Sequence, residues 1–221
     1  MLADAIYHTE LLAGHWYFFV YLKTADQELS VTMKYLLSFM LAFFTVKPAH
    51  AQTQQYQIVF GNRPVGFVNA RQTQSGNTRN ITIKSEFHII GNITTQLDVQ
   101  FAGSTLEQAR NVRNKSGTDE VTTTLHAGRQ YNVSHDNTKT VIPEASITHC
   151  VSELYFTEPV RITSVFSEAQ GQVLALRSLG GSRYELTLPD GKRNVYRYEK
   201  GKLVEVEINH TFGKAYIRLV S

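Results

Sequence analysis

A lone cysteine, Cys150, stands among 221 residues. No disulfide can form within the chain, so its stability has to come from a packed core. Charge is sparse as well. The formal net charge is +3, and the lysines and arginines are scattered along the chain and not gathered in blocks, which excludes the electrostatic footprint of a nucleic-acid binder. Catalytic signatures are missing: there is no Gly-x-Ser-x-Gly elbow, phosphate-binding loop or dinucleotide fingerprint. His88, His126, His135, His149 and His210 show none of the spacings that bring two histidines to one metal, so neither a metal nor another cofactor is expected. Apolar runs long enough to cross a bilayer are absent too. Those at 11–22 and 35–46 would reach only about 18 Å as helices, against a hydrocarbon layer of roughly 30 Å.

The second of these runs has the layout of a secretion signal. Met33-Lys34 gives a basic start, Tyr35 to Val46 an apolar stretch, Pro48 a stop, and Ala49-His50-Ala51 a small-x-small cleavage site. Residues 33–51 are therefore expected to be a helical signal peptide removed after Ala51. Export to the periplasm or the exterior follows, with no transmembrane span in the mature form. Residues 1–32 then precede a signal, where no residues belong. Either Met33 is the initiator and 1–32 is an upstream over-call, or 1–32 is a disordered or helical lead-in.

From Gln52 onward the chain alternates apolar and polar residues between closely spaced turn signals. Gly61-Asn62, Gly76-Asn77, Gly91-Asn92, Gly103-Ser104, Gly117, Gly128 and Asp136-Asn137 punctuate the first half. Gln170-Gly171, Gly180-Gly181, Asp190-Gly191 and Lys200-Gly201 punctuate the second. Turns roughly every eight to twelve residues are the pattern of an all-β sandwich or barrel. The last stretch, Arg183 to Val220, reads as four antiparallel strands in succession. Leu106 to Asn114 is a markedly polar strand within the same series.

One segment departs from this rhythm. Ile147, Cys150, Val151, Leu154 and Tyr155 recur at helical spacing, with Ser146 as N-cap and Pro159 beyond the end, predicting a short helix over about 146–156. Its apolar stripe has to be buried against a curved sheet, and Cys150, lying within it, reads as a small buried hydrophobe.

Several stretches resemble a family of small exported proteins of Bacteroidetes-type bacteria, classed as a domain of unknown function. They are Tyr56-Gln-Ile-Val-Phe-Gly-Asn-Arg-Pro-Val-Gly66, Leu154-Tyr-Phe-Thr-Glu-Pro159 and Val165-Phe-Ser-Glu168. Tyr184-Glu-Leu-Thr-Leu-Pro-Asp-Gly191, Asn194-Val-Tyr-Arg-Tyr198 and Val206-Glu-Ile-Asn-His210 complete the set. The likeness runs in order over the mature chain and implies a β fold and an exported location, but no mechanism. More distantly, the layout looks like the half-barrels of periplasmic lipoprotein carriers, on architecture alone.

The expectation is thus an all-β, mainly antiparallel domain over 52–221: a strongly curved sheet or open β-barrel with one short helix. Aromatic and aliphatic residues of such a sheet are core first and ligand wall second. Ile147, Val151, Leu154, Tyr155, Tyr196 and Tyr198 are the candidates for the wall of an apolar pocket. Glu158, Glu168 and His210 are the polar candidates, and an enzyme would need them to converge in one cleft. The leading function is non-catalytic binding of a lipid or other apolar or amphipathic ligand in the cell envelope. The alternative is a structural module that binds an envelope protein and holds no small ligand.

Overall fold

The computed structural model describes residues 50–88, 91–136, 138–143, 146–210 and 213–220. Residues 1–32 and nearly all of 33–51, the expected signal, lie outside these.

Fourteen strands form one antiparallel sheet. The first eight are β1 (His50–Phe60), β2 (Arg63–Ser75), β3 (Thr78–His88), β4 (Asn92–Ala102), β5 (Thr105–Lys115), β6 (Thr118–Ala127), β7 (Gln130–His135) and β8 (Thr138–Ile142). The other six are β9 (Ser164–Ser167), β10 (Gln172–Gly180), β11 (Arg183–Thr187), β12 (Arg193–Glu199), β13 (Lys202–His210) and β14 (Gly213–Leu219). Apart from β8 and β9, strands adjacent in sequence pair with each other, and β1 also pairs with β14 through Tyr56↔Leu219, Ile58↔Ile217 and Phe60↔Ala215. The order therefore runs from β8 through β1 and β14 to β9. The sheet is not closed, and its opening falls between β8 and β9, in the middle of the chain.

Local chemistry accounts for this meander. Hairpins β1–β2, β5–β6, β10–β11 and β12–β13 turn on two residues at positive φ: Gly61-Asn62, Ser116-Gly117, Gly181-Ser182 and Lys200-Gly201. Turns of that hand match the right-handed twist of the strands they join. Alternation then puts one set of side chains inside: Tyr56 and Ile58 on β1, Val68 and Ala70 on β2, Ile81 and Ile83 on β3, Val99 and Phe101 on β4. On the other half Leu174, Leu176, Leu186, Tyr196, Tyr198, Val206 and Ile217 complete the same core. Burying each large side chain contributes about 1.5–3 kcal/mol, which lets the sheet do without a disulfide.

Two glycines are fixed by close approach. A Cβ at Gly66 would lie 2.0 Å from the carbonyl oxygen of Glu86 on the paired strand. Gly171 combines φ +64° with a contact surface: its Cβ would meet Val133 Cγ1 at 2.5 Å. The β9–β10 reversal is thereby pressed onto β7, and Thr122 Oγ1 on β6 donates to Ala169 O in that reversal at 3.1 Å. The sheet is curled enough for its β9 end to reach the inner face of β6 and β7.

The helix expected over about 146–156 is shorter and tighter than its apolar spacing implied. Only Val151–Tyr155 is helical, as one 3₁₀ turn, while 146–149 runs without helical or strand pairing of its own and Cys150 makes an isolated bridge to Phe166. Two long-range backbone bonds draw the preceding stretch out: Leu106 N donates to Ile147 O and Phe166 N to His149 O, each at 2.8 Å. A regular helix would have used those carbonyls internally. Cys150, not Ser146, is the N-cap, and its N–H donates to the Glu153 carboxylate at 2.7 Å.

Candidate functional site

The stretch 146–163 joins β8 to β9 by crossing the inside of the curled sheet, and its anchors can be read one by one. Four tyrosines on sheet strands bond it through their hydroxyls. Tyr131 accepts from Ile147 N at 3.3 Å and donates to Leu106 O at 2.9 Å. Tyr198 donates to Leu154 O at 2.7 Å, and the single Tyr56 hydroxyl proton is shared between Gln54 Oε1, the nearer acceptor, and Tyr155 O at 3.2 Å. Tyr184 donates to Glu158 Oε1 at 2.9 Å. Burial raises the pKa of each of these hydroxyls, so all four stay protonated donors at any physiological pH. The rings of Tyr56 and Tyr155 meet edge to face, as do those of Tyr184 and Tyr198.

A charged anchor completes the attachment. Arg79 on β3 reaches Glu153 at 2.6 Å with its guanidinium 4.2 Å over the Phe101 ring, and both side chains are mostly covered. Glu168, only 2% exposed, accepts from Ser152 N at 3.1 Å. Burial pushes its carboxyl up to about 7; donors on Ser152 oppose the rise and the Glu153 charge adds to it. The Cys150 thiol is fully buried and its pKa is also pushed up, first by burial and then by Glu168 and Glu153. A thiol so placed is a packing group and not a nucleophile.

Between this strap and the sheet lies a cavity of about 490 Å³. Val151, Ser152 and Tyr155 form its strap side, and Ile58, Val68, Ile83, Leu97 and Ile217 its sheet wall. Phe60, Phe87 and Ile93 stand toward the end where β1–β2, β5–β6 and β13–β14 turn back. Polar groups are few: Ser85, Thr95, Asn111, Arg113 and Lys115 besides Ser152, with no carboxylate among the lining residues. Volume and apolar lining match the usual small-molecule site, about 300–1,000 Å³ with few polar groups.

The sequence-predicted wall residues divide. Val151 and Tyr155 line the cavity. Ile147, Leu154, Tyr196 and Tyr198 are buried in the adjoining core, where Tyr198 holds the strap and does not face the space. Of the polar candidates, Glu158 is engaged by Tyr184 and Glu168 by Ser152, and no hydrogen bond joins the two. His210 ends β13, and its side chain lies outside the described part. Asn111, Arg113 and Lys115 were not singled out from sequence. Their signal is the alternation of β5 carried on from buried Ala109, which puts positions 111, 113 and 115 on the inner face. Among the described residues no three His, Cys, Asp or Glu side chains gather as a metal-ligand set, and no helix is long and apolar enough to cross a membrane.

Fold and cavity together define an open antiparallel β-barrel with an internal strap and an apolar chamber beneath it. The chain belongs to the family described as a domain of unknown function, DUF6134, whose model matches residues 56–220. No curated protein matches the chain, and no solved structure does.

Proposed function

We propose that this is an exported, non-catalytic protein of the cell envelope that holds an apolar or amphipathic ligand in the chamber under its strap. The signal-like segment 33–51 supports export. The observation that carries the binding reading is the 490 Å³ space itself, lined mainly by aliphatic and aromatic side chains. Ordinary cores leave few voids larger than a water molecule, so an apolar cleft of this size between strap and sheet supports a bound apolar ligand.

Native mass spectrometry of the protein purified from cell envelopes tests this. A mass above that of the bare chain is expected, and Leu97→Trp, which fills the chamber, is expected to abolish it. A chain that is bare in every preparation overturns the reading. A second reading, an interaction module for another envelope protein, is supported by β8: it pairs on one side only among the described residues, and Val141 on it is 51% exposed. Cross-linking that captures a partner through β8, with the chamber empty, would favour it.

A further inference from the structure

The inner face of β5 gives the chamber a polarity. Asn111, Arg113 and Lys115 follow buried Ala109 at every second position, so the wall passes from apolar to cationic along one strand. Arg113 lies opposite Glu120 in the ladder and pairs with it at 3.1 Å, both side chains being more than two-fifths exposed. Lys115 stands opposite Ile93 on one side and Thr118 on the other, so neither strand partner offers it a carboxylate. With no acid among the described lining residues, Lys115 brings to the rim a positive charge that no described carboxylate of the lining offsets, beside an apolar wall that includes Phe87 and Ile93.

We propose, resting on the binding reading above, that the ligand is a single-chain amphiphile with an anionic head. Its alkyl chain lies between the strap and the sheet, and its head sits at Lys115 and Arg113. A cationic head would meet Lys115 with like charge. A neutral head would leave that ammonium without a counter-charge. An anionic head gains charge-assisted hydrogen bonds from Lys115 and from whatever donors Arg113 does not spend on Glu120. Each methylene that enters the chamber is expected to tighten binding about fourfold until the space is full.

The test is displacement of the neutral fluorescent probe N-phenyl-1-naphthylamine by palmitate, hexadecyl phosphate, hexadecanol and hexadecyltrimethylammonium, which differ in head charge. Palmitate or hexadecyl phosphate is expected to displace the probe at least about tenfold better than hexadecanol, the alcohol matching the cation or exceeding it. Whichever anion leads distinguishes a carboxylate from a phosphate head. Lys115→Gln with Arg113→Gln is expected to remove the preference while leaving uptake of the probe intact, which also shows that the variant is folded. Equal displacement by anion, alcohol and cation overturns the anionic-head inference and leaves ligand binding standing. Failure of the unmodified protein to take up the probe or any of the four amphiphiles overturns the binding reading itself.

Discussion

The hydroxyl of Tyr198 on β12 donates a 2.7 Å hydrogen bond to the main-chain carbonyl of Leu154 in the 3₁₀ turn, and both residues are buried. Removing that hydroxyl leaves a buried carbonyl without its partner, which costs about 1–3 kcal/mol. Tyr198→Phe is therefore expected to lower stability by that amount in urea unfolding. Tyr56→Phe is expected to cost at least as much, because it takes the hydroxyl away from buried Gln54 as well as from Tyr155 O at 3.2 Å. A Tyr56→Phe loss well below that of Tyr198→Phe would show that the strap is not held in the way these contacts imply.

Arg79 and Glu153 make the charged attachment, and Glu153 has a second task in capping the turn through Cys150 N. Arg79→Met and Glu153→Gln are expected to be unequal. Glu153→Gln touches both bonds and leaves Arg79 with no counter-ion in a mostly covered site. A loss of about 3–5 kcal/mol is the scale for breaking one side of a buried pair, and these partly exposed groups should fall below it. A double-mutant cycle with chemical denaturation would measure the coupling, and additivity would argue against a direct pair.

Glu168 makes stability depend on pH in a direction opposite to that of most carboxylates. Its folded-state pKa, pushed up to about 7 by burial, lies above the ordinary carboxyl value of 4.5. The folded protein therefore binds this proton more tightly than the unfolded chain does. The contribution is complete below about pH 4.5 and is lost as pH rises through 7, with a total on the order of 3 kcal/mol. Glu153, Tyr196 and Tyr155 lie close enough to be coupled to it. Glu168→Gln is expected to flatten the fall in melting temperature between pH 5 and pH 8, while an unchanged slope would assign it to another group.

Gly66 offers a purely steric test. The Cβ of Gly66→Ala would collide with the Glu86 backbone of the paired strand, which has no flexible end to move aside. A loss of at least about 1–3 kcal/mol is expected on thermal unfolding. Gly66→Ala at wild-type stability would mean that β2 and β3 are spaced differently.

Much of the sheet was legible beforehand because its information is local. Asp190-Gly191 and Lys200-Gly201 mark real reversals, and the alternation of Tyr184, Leu186, Tyr196, Tyr198 and Val206 does select the inner face. The segment 146–156 misled for the opposite reason. Ile147, Cys150 and Leu154 are buried as their spacing suggested, yet the backbone around Ile147 and His149 is claimed by Leu106 and Phe166, partners that no local pattern reveals. The chamber rim was hidden by the same limit. Arg113 and Lys115 look like the wet face of a polar strand until the pairing of β5 with β4, bulged at Gln100/Phe101, fixes which side they take. Glu158 and Glu168 could be noticed in the sequence, but their engagement by Tyr184 and Ser152 depends on how the strap crosses the sheet.

The seam between β1 and β14 brings together the first and last strands of the sheet in chain order. Every other strand pair joins sequence neighbours, so two meanders, β1 to β8 and β9 to β14, can form early from short-range contacts while this junction waits for β14 to be made. A nascent chain lacking its final strand would expose Tyr56 and Ile58 along a bare rim. That order makes β14 the clasp of the fold, because no earlier strand can tie the two halves of the sheet to each other.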